Sequence, residues 1–330
     1  MSNKLAIVIP AYKDAYFDKT LESLARQTDK NFSVYIGDDN SPHDLESIVS
    51  NYSDRLDITY KRFSVNLGST DLVLHWSRCF DMLQDEDFFC LFSDDDMMEP
   101  TCVENFYKTL HTDGHFDVFH FDINLIDSHD NIIKSCNSYP AVLSVSTFLR
   151  MLYTYRIDAR MPEFIFRTRH FQKSGGFINF DLAYRSDNAT VITAAKDRGI
   201  RTIPNAKVLW RDSGINISSN HNNALRPRRV YATIDFFEWM EEYYSKCAEA
   251  CPFSLKERLE LIICDILTLA DSFPRKALYK ALRKMKRARW NIFLYLRCRI
   301  YIMITLRKSR KHMKYFTYIK EHCLDPYSKK

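Results

Sequence analysis

What most constrains this chain is an alternation that fills its first 110 residues. Short apolar runs at residues 5–9, 32–37, 58–63 and 88–92 read as buried strands. Between them lie helical stripes: Phe17, Leu21 and Leu24; the segment 44–52; Leu72, Trp76, Phe80 and Leu83; and residues 101–110 after Pro100. Strand and helix alternating over short connections predict an α/β fold, a mostly parallel central sheet flanked by helices. Ligands in such sheets bind beyond the carboxyl ends of the strands. Two acidic groups fall at those ends: Asp38 and Asp39 after the second run, and Asp94, Asp95 and Asp96 after the fourth.

Beyond about residue 115 the alternation loosens. Strands are expected at 116–124, 131–135, 163–167, 200–203 and 207–210, with helices at 144–153 and 187–198. From residue 226 almost everything reads as helix. The expected organisation is an α/β domain over 1–225, divided into halves 1–112 and 113–225, followed by a helical, basic C-terminal region over 226–330. Residues 274–330 carry 18 Lys and Arg against Glu321 and Asp325, leaving 29 basic and 40 acidic residues before them. Within 275–314 the charges alternate with Leu282, Trp290, Phe293 and Ile302, a pattern suited to an anionic membrane surface or to a packed basic helix face. No nucleic-acid-binding motif accompanies the charge, so nucleic acid is not an expected partner.

The nine cysteines are scattered, with no Cys-x-x-Cys pair, which fits reduced thiols and no zinc knuckle. The apolar run at the N-terminus is too brief for a signal peptide, and the longest apolar stretch, 291–306, is broken by Arg297 and Arg299. The expected location is cytoplasmic, with peripheral attachment to the inner face of the membrane left open.

Three adjacent carboxylates after a buried strand repel one another and raise each other's pKa unless a cation neutralises them. Oxygen ligands favour Mg²⁺ or Mn²⁺, which would stabilise charge growing on a departing diphosphate. The bland alternative is a loop or cap before the helix that follows Pro100.

Four motifs in order then carry a family resemblance: Ile7-Val8-Ile9-Pro10-Ala11-Tyr12, Ser23-Leu24-Ala25-Arg26-Gln27-Thr28, Gly37-Asp38-Asp39-Asn40-Ser41, and Phe92-Ser93-Asp94-Asp95-Asp96 with Pro100. Together they resemble the family 2 glycosyltransferases of the GT-A fold. The resemblance implies an inverting enzyme that moves a sugar from a nucleotide diphosphate sugar, most simply a UDP-sugar, to a glycan or lipid-linked glycan. By that resemblance Pro10, Ala11 and Tyr12 line the nucleotide pocket, Asp39 meets the base, and Asp94 approaches the ribose or diphosphate. Asp95 matches the metal ligand, while Ser93 stands where the family has a first acid. Asn66-Leu67-Gly68 resembles a family turn, readable equally as a ligand contact through Asn66 or as a plain turn. No basic residue for the base is evident beside it.

An inverting transfer also needs a carboxylate to take the acceptor's proton. Asp187, ahead of an apolar helix, matches best, with Glu163 and Asp181 behind it. Arg211, in the segment from Trp210 to Ser219, matches a place where a phosphate is paired, or belongs to an ordinary loop; His221 carries no defined partner. A nucleotidyl transferase is disfavoured because Pro10-Ala11-Tyr12-Lys13-Asp14 lacks a glycine-rich phosphate loop. A degenerate transferase that binds membrane or polyanion through its basic tail is the alternative.

Overall fold

Leu5–Ala11 (β1) is buried along nearly its whole length, as a strand between two neighbours under helices must be. The computed structural model describes residues 4–154, 156–212, 214, 225–247, 250–254, 257 and 261. After β1 come Phe17–Ala25 (α1), Phe32–Asp38 (β2), Leu45–Ser50 (α2), Ile58–Arg62 (β3), Leu72–Phe80 (α3) and Phe88–Leu91 (β4). Asp44 and Asp71 cap α2 and α3, each accepting a hydrogen bond from a backbone N–H three residues on. Then follow Met97–Met98 (β5), Cys102–Asp113 (α4), Val118–Ile126 (β6), Ile132–Ser135 (β7), Val142–Leu143 (β8) and Val145–Tyr153 (α5). Phe164–Arg167 (β9), Thr168–Lys173 (α6), Ser186–Ala194 (α7), Ile200–Arg211 (β10) and Arg226–Ser245 (α8) complete the order.

One sheet runs β3-β2-β1-β4-β9-β6-β10-β5, with β7 on β6 and β8 on β10. Its first four strands are parallel, and β6 and β10 are parallel to each other. Between these two parallel blocks β9 lies antiparallel to both β4 and β6. Direction is invisible in a short apolar run such as Phe164–Arg167, so the sequence pattern alone does not announce it. The two short strands expected at 200–203 and 207–210 are one strand, β10, whose register on β6 shifts between Ile203 and Lys207 around Asn205 in a left-handed conformation. The helix expected over 187–198 ends at Ala194.

The strand order 2-1-4 makes β1 and β4 the point at which the chain reverses direction across the sheet, and the crevice beyond their carboxyl ends is the ligand position of such folds. Beneath it the core is aromatic: Phe88 packs on Phe106 and Phe119, and Phe89 on Phe80, Phe166 and Phe171.

The described residues divide into two compact units, one within 4–148, 157–179 and 186–214, the other within 149–156, 180–185 and 225–261, so the second takes in two segments that precede the expected C-terminal region. In this second unit Tyr153, Phe236, Phe237 and Phe253 pack together and Arg228 pairs with Asp181. The basic segment 274–330, residues 215–219 and His221 lie outside the described residues. Among the described residues no helix is long and apolar enough to cross a membrane.

Candidate active site

The loops after β1 and β4 are tied together by one carboxylate. Asp94 Oδ2 accepts the backbone N–H of Tyr12 at 2.8 Å and of Lys13 at 2.7 Å. The Lys13 ammonium lies 3.1 Å from Asp94 Oδ1 and donates to Asp95 Oδ2. The other oxygen of Asp95 accepts from the Ser93 hydroxyl at 2.5 Å. Burial pulls the Lys13 ammonium down, but Asp94 and Asp95 raise it above the usual lysine range. Burial raises Asp94, with the Lys13 charge acting against it.

Asp96 faces another way. It is fully buried, with Oδ1 accepting the backbone N–H of Arg211 at 2.8 Å, and its carbonyl accepts from the Thr20 hydroxyl. Burial first, and then the charge of Asp95, push its carboxyl well above the usual carboxylate range. Asp96 therefore braces the loop. Arg211, expected as a phosphate contact or as part of an ordinary loop, is 0% exposed, and its guanidinium donates to the carbonyls of Asp95 and Asp127, both at 2.8 Å, and pairs with Asp130 at 2.6 Å. Its plane also lies 4.3 Å from the Tyr16 ring centroid. These contacts make it a clamp on two loops, turned inward.

At the end of β2, Asp39 is 2% exposed. Its two oxygens accept the backbone N–H groups of Leu67 and Gly68 at 2.8 and 2.7 Å, and Arg78 donates to Oδ1. The glycine is required here, since a Cβ on residue 68 would stand 2.7 Å from Asp39 Oδ2. Asn66 closes this turn through its side-chain oxygen, which accepts from Ser69 N at 2.9 Å. Arg78 also bonds the Val65 carbonyl and His75 Nδ1, and lies 3.9 Å over the Phe63 ring. His75 is held down to about 4 by burial, with Asp39 opposing and Arg78 reinforcing. Arg78 is a basic residue on Asp39 that did not stand out in the sequence. The Ser41 hydroxyl donates to the Tyr12 carbonyl, joining the loop after β2 to the loop after β1. Ala11 is buried at the end of β1, Pro10 half-buried, and Tyr12 is 40% exposed at the mouth.

On the acceptor side, Asp187 is half-buried in the first turn of α7 and accepts the backbone N–H of Asn188 at 2.8 Å. Leu182, Ala183 and Arg185, just before it, have φ of 61°, 54° and 73°, a left-handed conformation uncommon for such residues and concentrated at functional sites. The other two carboxylates have different employment. Asp181 makes a two-pronged pair with Arg228. Glu163 is fully buried at 3.2 Å from His120 Nε2, and burial pushes its carboxyl well above the usual range, with Arg160 pulling it back. Asp187, half-buried, is more accessible than Glu163, which is 0% exposed.

The glycosyl transferase family 2 model matches residues 6–172, just over half of the chain, and takes in both strand-end loops. The chain belongs to glycosyl transferase family 2. Its architecture is α/β, a central sheet flanked by helices, as the motifs implied. Validoxylamine A glucosyltransferase of Streptomyces hygroscopicus subsp. limoneus is 45% identical to it over 67 residues, 19% of this chain and 15% of that protein. The same enzyme from Streptomyces hygroscopicus subsp. jinggangensis is 43% identical over 67 residues. These alignments therefore span a small part of either relative. Among solved structures, S. aureus TarS residues 1–349 superpose with a TM-score of 0.58 at 15% identity, over 83% of this chain and 74% of that one. A further structure of S. aureus TarS gives 0.60 at 16%, over 87% and 49%. At such identity the likeness is one of fold.

Enzymes of this fold often use a divalent metal. In this family 2 chain, Asp95, the expected ligand, has both carboxylate oxygens engaged by Ser93 and Lys13. Among the described residues no group of three or more His, Cys, Asp or Glu is arranged to hold a metal ion. With the Lys13 ammonium as a like charge on the Asp95 carboxylate and no further ligand grouped with it among the described residues, the donor set does not fit Mg²⁺ or Mn²⁺.

Proposed function

We propose that the protein moves a sugar with inversion from a UDP-sugar to a glycan or lipid-linked glycan. The observation that carries this reading is the set of hydrogen bonds that gathers Asp39 with Arg78, and Tyr12 with Lys13 and Asp94, at the carboxyl ends of β2, β1 and β4, beside the switch point of the sheet. An ionised carboxylate offers about four acceptor positions. Two backbone N–H groups and Arg78 leave Asp39 capacity for the imide N–H of a uracil. Asp94, fixed by the N–H groups of Tyr12 and Lys13, stands where ribose and diphosphate follow the base. S. aureus TarS, which shares the fold, has been solved with UDP-GlcNAc and with UDP, which supports a uridine nucleotide here.

Asp187 is the base in this reading. Its carboxylate takes the proton of the acceptor hydroxyl as that oxygen attacks the anomeric carbon, while the carbon–oxygen bond to the diphosphate breaks. A positioned base contributes about 10²–10⁴-fold. The test is a donor screen that detects released nucleoside diphosphate, run with Asp187→Asn. We expect a UDP-sugar to turn over and the variant to lose about 10²–10⁴-fold in kcat while still binding UDP. Turnover retained in Asp187→Asn removes the base. UDP binding with no turnover of any donor would favour the degenerate transferase instead.

A further inference from the structure

Each of the four carboxylate oxygens of Asp94 and Asp95 has a donor from within the chain. Asp94 Oδ2 has two backbone N–H donors, Asp95 Oδ1 has the Ser93 hydroxyl, and the remaining oxygen of each meets the Lys13 ammonium. The carboxylates are 4% and 3% exposed, so water does little to screen them and some cation must answer their charge. Lys13 supplies it from the loop after β1, and its side chain keeps 26% of its surface exposed.

A divalent ion binds carboxylate oxygens at about 2.1 Å. At Asp95 it would meet the Lys13 ammonium on the same carboxylate as a like charge, and an ammonium pushed aside on its four-carbon stem would remain beside it. Ser93 also brings a hydroxyl where a second acid would strengthen a metal site. Ammonium and metal thus exclude each other at these oxygens. A lysine ammonium also has three donors, so it can hold Asp94 and Asp95 and still turn one hydrogen toward a phosphate oxygen.

We propose that Lys13 is the resident cation of this site: its ammonium takes the place at Asp94 and Asp95 that a divalent ion would take, and it holds the donor's diphosphate without one. This rests on reading the crevice as the donor site. The experiment therefore separates the two ideas by measuring metal and nucleotide independently on the full chain.

Mn²⁺ binding is followed by the loss of its free electron paramagnetic resonance signal, without nucleotide, in the native protein, Lys13→Arg, Lys13→Met and Lys13→Met with Asp95→Asn. We expect Lys13→Met to bind Mn²⁺ at least about tenfold more tightly than the native protein and Lys13→Arg, and the added Asp95→Asn to remove the gain. UDP calorimetry should give the same affinity with EDTA as with Mn²⁺ in the native protein, and a Mn²⁺ requirement in Lys13→Met. Native protein that binds Mn²⁺ as tightly as Lys13→Met, or that loses UDP when EDTA is added, overturns the proposal. Should UDP bind none of the proteins, the donor reading fails and the Mn²⁺ comparison still decides the role of Lys13. Lys13→Met leaves two buried carboxylates unanswered and could fold poorly. In that case Mn²⁺ should raise its melting temperature and leave that of the native protein unmoved, and a variant that Mn²⁺ does not stabilise counts against the idea.

Discussion

Asp39 is useful to a nucleotide only if its carboxylate is held still, and three neighbours hold it: Leu67 N, Gly68 N and the Arg78 guanidinium. Arg78 is itself fixed by Phe63 beneath it and by the Val65 carbonyl and His75 at its edges. A lysine cannot reproduce this planar, many-donor fit. Arg78→Lys should therefore weaken UDP binding at least about tenfold in calorimetry while leaving the circular dichroism spectrum unchanged; unchanged affinity would remove Arg78 from the pocket. Asp39 was legible in the sequence because it follows a strand and opens a turn. Arg78 was not, because a lone arginine in the stripe Leu72, Trp76 and Phe80 reads as the solvated side of a helix, and only the closeness of α3 to β2 turns it inward. Lys13 was passed over for a similar reason: a lysine after a strand carries no message until the loop after β4 is known to lie against it.

Among the elements, β10 shows how a residue with the right chemistry can serve the frame. Arg211 ends that strand and fastens the carbonyl of Asp95 to the turn at Asp127 and Asp130, itself also paired with Lys19. Without Arg211 the carbonyls of Asp95 and Asp127 lose their donor, at about 1–3 kcal/mol for an acceptor left unsatisfied, while Asp130, 34% exposed, keeps Lys19. Arg211→Met should accordingly lower the unfolding free energy by about 1–3 kcal/mol or more in urea titrations. A phosphate-binding arginine would instead weaken nucleotide binding and spare stability, so the pair of measurements discriminates the two roles. The alternation of apolar runs and stripes made the block β1 to α4 readable, and acids at two strand ends pointed to the crevice. What lay beyond reach was pairing. Met97–Met98 is too short to register as a strand, and the antiparallel course of β9 is set by the order in which strands meet, which no local pattern encodes.

For the molecule as a whole, buried histidines and buried carboxyls impose opposite pH dependences on stability. His75 is 2% exposed and its pKa is lowered to about 4 by burial; His120, fully buried, is lowered well below the usual histidine range by the same cause. The unfolded chain binds protons at histidine below about pH 6.5, whereas the folded chain does not until lower pH. Stability from these groups is thus complete above about pH 6.5 and is lost as pH falls toward the folded value. For His75 the interval down to about 4 corresponds to roughly 3 kcal/mol, with little solvent screening to reduce it. Glu163 runs the other way. Its folded pKa is raised, chiefly by burial, so its contribution is complete below about pH 4.3 and is lost as pH rises through the folded value. Urea unfolding at a series of pH values separates them. His75→Gln, which keeps an acceptor for Arg78 Nε, should lose about 3 kcal/mol less than the native protein between pH 6.5 and 4, and parallel curves would contradict a neutral, buried His75. Glu163→Gln should gain on the native protein as pH rises from 5 to 8, because a glutamine has no proton to surrender on unfolding. A constant difference across that range would mean that Glu163 is ionised in the fold, and would return it to contention with Asp187 as the group that takes the acceptor's proton.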